Sequence, residues 1–127
     1  MTQAILEHVN ITVSDPKATA DMLCTLFDWQ IRWTGGSKDD GTTYHVGGDD
    51  SYLAVYSKGG HDKMGDSYDV PGAMNHIGIV VEDIDATELR IQKAGFKPKS
   101  HADYEPGKRF YFYAHDGIEI EVVSYQS

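Results

Sequence analysis

The sequence has little cysteine, no long apolar run and few basic residues. Its single cysteine, Cys24, has no disulfide partner within these 127 residues, which is typical of proteins from a reducing compartment. No stretch approaches the roughly 18 apolar residues that a membrane-spanning helix needs. The first residues also lack the basic segment and apolar core of a signal peptide. We therefore expect a cytoplasmic protein without a membrane-spanning segment.

Basic residues are outnumbered by acidic ones: 11 lysines and arginines stand against 20 aspartates and glutamates, and the formal net charge is −9. A surface of this sign repels nucleic-acid phosphates and anionic lipids, and no basic stripe counteracts it. The glycine pairs at 47–48 and 59–60 do not lie between a strand and a helix, so they do not indicate a nucleotide-binding loop. These features argue against nucleic acid and membrane surfaces as partners.

What the sequence does contain is an internal repeat. Residues 7–15 read EHVNITVSD and residues 75–83 read NHIGIVVED, at an offset of 68 residues. A hydrophobic content of 40% and a charged content of 24% indicate a globular chain, and the length predicts a single domain. The repeat divides this domain into two equivalent modules and places His8 and His76 at equivalent positions.

The hydrophobic pattern predicts the same order of elements in both modules, β-α-β-β-β. In the first strand of each copy apolar residues alternate with polar ones, which is typical of a strand with one buried face. A capping side chain followed by Pro16 marks the start of the first helix, and Gly95 provides a left-handed residue that ends the second. Asp116 and Gly117 form a strong hairpin signal.

These signals divide the chain into module one (residues 4–57), a linker (58–74) and module two (75–126). The linker is long for a connection inside a domain, which indicates a functional flap or a crossover between the halves.

In module one we predict strands over 6–13, from 31, over 42–46 and over 52–56, a helix from 16 that ends at 28–30, and a polar turn over 35–41. In module two we predict a strand over 77–81, a helix capped by Asp83 or Asp85 and carrying Ala86, Leu89, Ile91 or Gln92, and Ala94, a strand from 96, a turn over 105–107, and strands over 109–115 and 118–125.

Residues on the polar side of the strands define the candidate site. Helices cover the apolar face of each sheet, so the opposite face lines whatever hollow the modules enclose. In the last strand Ile118, Ile120 and Val122 point toward the helix, which leaves Glu119, Glu121 and Val123 on the opposite face. The side chains predicted to share that face are His8, Asn10, Tyr52, Ala54, Tyr56, His76, Arg109, Tyr111, Tyr113, His115, Glu119 and Glu121.

Two histidines at matched positions and one carboxylate near the C-terminus form a ligand set that divalent metals use. Neutral imidazole and carboxylate suit Fe²⁺, Mn²⁺, Zn²⁺, Co²⁺ or Ni²⁺, and three protein ligands leave coordination positions for a substrate. Each residue also has a simpler interpretation. The histidines could be hydrogen-bonded residues at strand ends, and the alternation of Glu119 and Glu121 with apolar residues is common on the solvated face of an outer strand.

Three segments carry a resemblance to a known family: residues 6–9 (LEHV), 75–78 (NHIG) and 116–122 (DGIEIEV). The chain resembles the vicinal oxygen chelate superfamily, which includes glyoxalase I, extradiol ring-cleaving dioxygenases, methylmalonyl-CoA epimerase, fosfomycin-resistance enzymes and bleomycin-binding proteins. The resemblance covers nearly the whole chain and implies an α+β fold. In that fold two βαβββ modules form a cup-shaped, mostly antiparallel sheet with helices on the outside.

Position by position, the resemblance implies metal ligands at His8, His76 and Glu121. Glyoxalase-like members place a fourth ligand, a glutamate, on the last strand of module one, where this sequence has Ala54. That departure weakens a glyoxalase I activity and leaves the three-ligand pattern of extradiol dioxygenases and fosfomycin-resistance enzymes.

The likeness to dioxygenases further implies two catalytic residues. Tyr111 would donate a hydrogen bond to a metal-bound substrate oxygen, and His61 would act as an acid or base. A solvated histidine in a flexible linker is the alternative for His61. The residues expected to line the substrate cup are Asn10, Tyr52, Tyr56, Tyr113 and Glu119.

Two classes of function follow from these features. The first is a metalloenzyme that chelates two oxygens of a small substrate, either stabilising an enolate-type intermediate or binding dioxygen beside a catechol-like substrate. The second is a metal-free binding module of the bleomycin-resistance type, whose aromatic lining suits a cationic or planar ligand. A scaffold that has lost its function is a third option. We expect a homodimer, with the cup completed by the modules of one chain or of two.

Overall fold

The computed structural model describes residues 2–60, 62, 65–104 and 107–126. The chain forms two compact units, Met1–His61 and Asp62–Ser127, and the division falls inside the predicted linker. Among these residues each unit has one four-stranded mixed sheet and one α-helix in the predicted β-α-β-β-β order, which confirms the α+β prediction.

The first unit has the sheet order β1-β4-β3-β2, in which β1 runs parallel to β4 and the other neighbours are antiparallel. Its elements are β1 (His8–Thr12), α1 (Pro16–Phe27), β2 (Gln30–Gly36), β3 (Thr42–Gly47) and β4 (Tyr52–Ser57). Strand β2 continues two residues into the predicted polar turn, because Gly35 and Gly36 pair with Thr43 and Thr42. The turn therefore begins at Ser37 rather than at Gly35.

Helix α1 begins and ends where the sequence predicts. The Asp15 carboxylate accepts a hydrogen bond from the Ala18 N–H at 3.1 Å, and Pro16 occupies the first turn, where no N–H is needed. Asp28 ends the helix in the left-handed conformation, with φ 57°. The helix buries Ala20, Leu23 and Leu26, and the first sheet contributes Val46, Leu53 and Val55 to the core.

The second unit repeats this plan with the order β5-β8-β7-β6, and β5 runs parallel to β8. Its elements are β5 (His76–Val80), α2 (Ile84–Lys93), β6 (Lys99–Tyr104), β7 (Gly107–Tyr113) and β8 (Glu119–Ser124). The core of this unit comes mainly from its strands, because Phe110, Phe112, Ile120 and Val122 are buried. No helix of the described part of the chain is long and apolar enough to cross a membrane.

Helix α2 is capped by Asp83 rather than by Asp85: the Asp83 carboxylate accepts from the Ala86 N–H at 3.0 Å. Its buried face is narrower than predicted, because Ile91 is fully buried whereas Leu89 is 57% exposed. After the helix Gly95 has the expected positive φ of 95°.

Strand β6 begins at Lys99, three residues later than predicted. Phe96 instead packs its ring against Phe112, with 5.7 Å between ring centroids. Between β7 and β8, Asp116 and Gly117 both have positive φ, and they form the predicted tight turn. The predicted turn over 105–107 includes Glu105 and Pro106, which lie outside the described residues.

Candidate functional site

The strand registers put the candidate ligands at matching places in the two sheets. In the first sheet His8 pairs with Tyr52 and Asn10 with Ala54. In the second sheet His76 pairs with Glu119 and Gly78 with Glu121. Ala54 therefore holds the position in the first unit that Glu121 holds in the second, which supports the interpretation that the first unit lacks one carboxylate ligand.

In the second unit His76 and Glu121 lie side by side. The Nε2 atom of His76 is 3.4 Å from Oε1 of Glu121. The other carboxylate oxygen, Oε2, accepts hydrogen bonds from Arg109 Nη1 at 2.9 Å and from the Tyr111 hydroxyl at 3.0 Å. The Glu121 side chain is only 13% exposed. Arg109 and Tyr111 thus fix one oxygen of this carboxylate and leave the other facing the histidine.

Glu119, two residues earlier on β8, has a second set of partners. Its Oε2 accepts from Lys99 Nζ at 2.9 Å, and its Oε1 accepts from the Tyr68 hydroxyl at 2.8 Å. The hydrogen bond from Lys99 is the main reason that the pKa of Glu119 is lowered, and the same bond raises the pKa of Lys99. Oε1 of Glu119 also lies 4.0 Å from Nδ1 of His76. The two ring nitrogens of His76 therefore face two different carboxylates.

Tyr68 and Lys99 are the residues that the sequence analysis missed. Tyr68 lies in the short 3-10 helix Ser67–Asp69 of the predicted linker, where an Asp66 cap to the Tyr68 N–H at 3.0 Å holds the turn. The Asp66 cap is a sequence signal of local order there. Lys99 also sits 4.4 Å from the ring centroid of Tyr113, so its stem and charge pack against an aromatic face.

In the first unit His8 belongs to a row of rings that crosses the sheet. Its ring stacks on Tyr52 at 4.8 Å, Tyr52 stacks on His45 at 4.6 Å, and His45 contacts Trp33 at 5.0 Å between centroids. The spacing matches that of neighbouring strands. Burial, together with the nearby His8 and Arg32, lowers the pKa of His45.

His8 has one ring nitrogen occupied. Its Nδ1 lies 2.8 Å from Oε1 of Glu7, so the nitrogen left for another partner is Nε2. The His8 side chain is 44% exposed. This geometry suits a histidine that offers Nε2 to a metal ion, since metal-bound histidines generally bind a carboxylate or carbonyl through their other nitrogen.

The remaining candidates have different surroundings. The Tyr56 hydroxyl donates to the Lys38 carbonyl at 2.6 Å, so it serves the first unit locally. Tyr113 is 55% exposed, and Asn10 is exposed on β1. His61 lies outside the described residues.

The three predicted ligands are divided between the units, with His8 in the first and the His76–Glu121 pair in the second. In residues 2–60, 62, 65–104 and 107–126 no group of three or more histidine, cysteine, aspartate or glutamate side chains is arranged to hold a metal ion. The ligand set as a whole is therefore a prediction, whereas the pair in the second unit is observed.

The distance between the donor atoms of His76 and Glu121 is compatible with binding to one metal ion. Donors bound to one metal at 2.0–2.2 Å lie about 2.8–3.6 Å apart for bond angles from octahedral to tetrahedral. The 3.4 Å between Nε2 and Oε1 falls within that range. Imidazole nitrogen with carboxylate oxygen is a donor set that suits Mn²⁺, Fe²⁺, Zn²⁺, Co²⁺ and Ni²⁺.

Comparison with known proteins gives a family and several solved structures of the same fold. Residues 5–122 match the model of the Glyoxalase/Bleomycin resistance protein/Dioxygenase superfamily. A glyoxylase/bleomycin resistance protein/dioxygenase domain from Frankia sp. EAN1pec superposes with a TM-score of 0.78 at 21% identity, over 97% of this chain and 98% of that one. No curated protein matches the sequence significantly.

Two further structures have a named ligand or function. A mutant of the fosfomycin resistance protein FosX from Listeria monocytogenes, complexed with Mn(II) and 1S,2S-dihydroxypropylphosphonic acid, has a TM-score of 0.74 at 20% identity over 96% and 93% of the two chains. An antibiotic binding protein from Streptomyces sp. CB03234 has a TM-score of 0.74 at 15% identity over 98% of both. At these identities the likeness establishes the fold. Because the family match spans nearly the whole sequence, this chain belongs to the glyoxalase/bleomycin resistance protein/dioxygenase superfamily.

Proposed function

We propose that this protein is a metalloenzyme that binds a divalent metal through His8, His76 and Glu121 and acts on a small substrate with two neighbouring oxygen atoms. The observation that carries the proposal is the His76–Glu121 pair, whose donor atoms lie 3.4 Å apart. When bound, the metal would supply Lewis acidity to the substrate oxygens.

The residues around Glu121 have distinct tasks in this proposal. Arg109 and Tyr111 hold Oε2 of Glu121, which keeps Oε1 directed at His76. The Tyr111 hydroxyl would orient a substrate oxygen by turning its one proton from Oε2 of Glu121, 3.0 Å away, to the substrate, while Arg109 keeps its bond to Oε2. His61 stays a proposed acid or base.

The absence of a fourth carboxylate favours substrate chelation. Ala54 occupies the register position that matches Glu121, so three protein ligands leave at least one further coordination position open. The FosX variant of the same fold is complexed with Mn(II) and 1S,2S-dihydroxypropylphosphonic acid. That precedent supports the substrate class proposed for this chain.

Metal stoichiometry tests the proposal. Metal-stripped protein titrated with Mn²⁺, Fe²⁺, Zn²⁺, Co²⁺ or Ni²⁺ is expected to take up one ion per site, measured by elemental analysis and calorimetry. His76→Ala and Glu121→Gln should abolish uptake, whereas the control His101→Ala should keep it, because His101 instead contacts Glu88 at 2.7 Å. A wild-type protein that binds none of these ions would rule the metalloenzyme out.

A metal-free binding protein is the second candidate, and the ring row of the first unit favours it. Arg32 lies 4.7 Å over the Tyr52 ring, and Trp33 is 49% exposed at the end of the row. Such a surface suits a planar ligand, and the Streptomyces relative binds an antibiotic. If the wild-type protein takes up no metal but a planar ligand quenches Trp33 fluorescence in a Trp29→Phe variant, this second function is the correct one.

We also propose that the protein acts as a homodimer in the cytoplasm. Strand β1 is one of the two edge strands of the first sheet, and β5 is one of the two edge strands of the second. Edge strands in soluble proteins are usually covered or paired. Ile5, Leu6 and Val80, in or next to these strands, are 81%, 78% and 63% exposed. Light scattering coupled to gel filtration should give twice the chain mass of 14.1 kDa, and the chain mass itself would contradict the dimer.

A further inference from the structure

We propose that Glu7 and Glu119 are positioning residues that hold the Nδ1 side of His8 and His76, so that each histidine presents Nε2 to the metal. This inference rests on the proposed function, because it assigns a task to residues beside the proposed ligands. Neither glutamate is itself a proposed ligand.

The contacts of His76 separate its two nitrogens. Nε2 faces the proposed ligand Glu121 at 3.4 Å, and Nδ1 faces Glu119 at 4.0 Å. The second distance is that of an ion pair rather than of a hydrogen bond, so Glu119 acts first through its charge. In the metal-free protein Glu121 is the nearer carboxylate and favours a proton on Nε2. If a metal takes the Nε2 lone pair, the proton of the neutral ring lies on Nδ1, on the side that faces Glu119.

Glu119 is held in place from two elements. Lys99 on β6 binds Oε2 at 2.9 Å, and Tyr68 in the 3-10 helix Ser67–Asp69 binds Oε1 at 2.8 Å. The Glu119 side chain is 11% exposed. Both oxygens therefore have a donor, and the carboxylate cannot rotate away from His76 without losing one of them.

In the first unit the same task falls to a residue at a different position. Glu7, directly before His8, has Oε1 2.8 Å from Nδ1. The position that matches Glu7 in the second unit is Asn75, and the position that matches Glu119 in the first unit is Tyr52. The internal repeat alone does not produce these two contacts. Each unit brings a carboxylate to Nδ1 in its own way, which is what a shared requirement of the two histidines would produce.

His101 provides a contrast within the same protein. Its Nε2, rather than its Nδ1, lies 2.7 Å from a carboxylate, that of Glu88. His101 stacks on Phe110, a residue of the helix-covered core. A carboxylate can thus contact either nitrogen in this fold, and the two proposed ligand histidines share the arrangement that leaves Nε2 available.

Nitrogen-15 NMR of the imidazole rings tests this assignment in the metal-free protein at a pH where the rings are neutral. We expect the Nδ1–H form for His8 and the Nε2–H form for His101. His76, whose nearer carboxylate lies at Nε2, should change to the Nδ1–H form when Zn²⁺ is added. Glu7→Gln should change the His8 ring alone and Glu119→Gln the His76 ring alone. The matched control Glu88→Gln should change only His101.

Metal affinity gives the second measurement. Glu7→Gln and Glu119→Gln should each weaken Mn²⁺ binding by about 10–100-fold, the usual effect of removing a carboxylate behind a ligand histidine. Glu88→Gln should leave the affinity unchanged. Tyr68→Phe, a surface substitution that removes one donor to Glu119, provides a variant that keeps the fold, and it should weaken binding several-fold.

The outcomes separate the two proposals. If the wild-type protein binds Mn²⁺ and the glutamate variants bind it equally well, the positioning role is wrong and the metal site stands. If the wild-type protein binds no metal although His8 has the Nδ1–H form, the metalloenzyme is wrong and the positioning role is wrong with it. If the wild-type protein binds metal but His8 has the Nε2–H form, or His76 keeps it with Zn²⁺ bound, the positioning role alone is overturned.

Discussion

At the scale of single residues, Glu121 has two oxygens with different neighbours. Oε2 is bonded to Arg109 and Tyr111, and Oε1 faces His76. A largely buried carboxylate of this kind depends on its donors, because an uncompensated charge away from water is costly. The same donors that stabilise the fold therefore keep one oxygen directed at the proposed metal position.

Arg109→Met tests this dependence on Arg109. We expect the free energy of unfolding, measured by urea denaturation at neutral pH without metal, to fall by about 1.5–3 kcal/mol, the usual range for a hydrogen bond to a charged group. Lys17→Met removes the exposed pair with Asp21, in which the Lys17 side chain is 68% exposed, and should cause no measurable change. Equal effects of the two substitutions would contradict the burial argument.

Glu119 gives a prediction about pH, since Lys99 lowers its pKa in the folded protein. A glutamate with a lowered folded pKa contributes stability above its unfolded value of about 4.3, and this contribution is lost as the pH falls through the folded value. We therefore expect metal-free wild-type protein to be more stable than Lys99→Met at pH 7 and the difference to shrink below about pH 4. Urea denaturation from pH 3 to pH 7 measures it, and a difference that does not change with pH would show that Lys99 acts only by packing.

At the scale of elements, the strands and helices could largely be predicted, because alternation and capping are local signals. The alternation of side chains along a strand was enough to predict which residues of β7 and β8 share a face, and it places Glu121 beside Arg109 and Tyr111. The same alternation could not predict that Lys99 lies on that face. On β6 Lys99 pairs with Tyr111 and Ala102 pairs with Arg109, so β6 has one extra residue.

The extra residue is a bulge in β6. Ser100 has a positive φ of 56°, which is uncommon for a residue other than glycine, and no glycine marks the place in the sequence. The bulge lets Lys99 reach the same face as Glu119 despite the break in alternation. Leu89 shows a second limit of the sequence pattern. Its apolar character predicts a buried side chain but does not reveal how little of the sheet α2 covers.

The helix caps give a prediction at this scale. Asp15 and Asp83 each accept a hydrogen bond from the N–H three residues later, at 3.1 and 3.0 Å. Asp15→Ala and Asp83→Ala should each lower the free energy of unfolding by about 0.5–2 kcal/mol in thermal or urea denaturation. Asp85→Ala removes a carboxylate from the first turn of α2 but leaves the cap, and should cost about 0.3–1 kcal/mol at most. A larger loss for Asp85→Ala than for Asp83→Ala would contradict the assignment of Asp83 as the cap.

At the scale of the whole molecule, the repeat divides the proposed ligands unequally, with one in the first unit and two in the second. The net charge of −9 draws cations toward the protein in general, so weak binding of divalent ions is expected even away from a site. A specific site differs from this background because it stabilises the folded chain and depends on single side chains. Whether metal binding depends on His8 is more informative than whether it depends on His76. The reason is that the His76–Glu121 pair by itself already fits two positions on a metal.

Metal-linked stability therefore tests the complete ligand set. An ion that binds only the folded protein raises the free energy of unfolding by about 2.7 kcal/mol when its free concentration is 100 times the dissociation constant. We expect Mn²⁺ to stabilise the wild-type protein to this degree in 0.15 M salt and to have little effect on either His8→Ala or His76→Ala, with His101→Ala behaving as wild type. If His8→Ala keeps the full stabilisation while His76→Ala loses it, the metal binds to the second unit alone, and the contribution of the first unit to the ligand set is wrong.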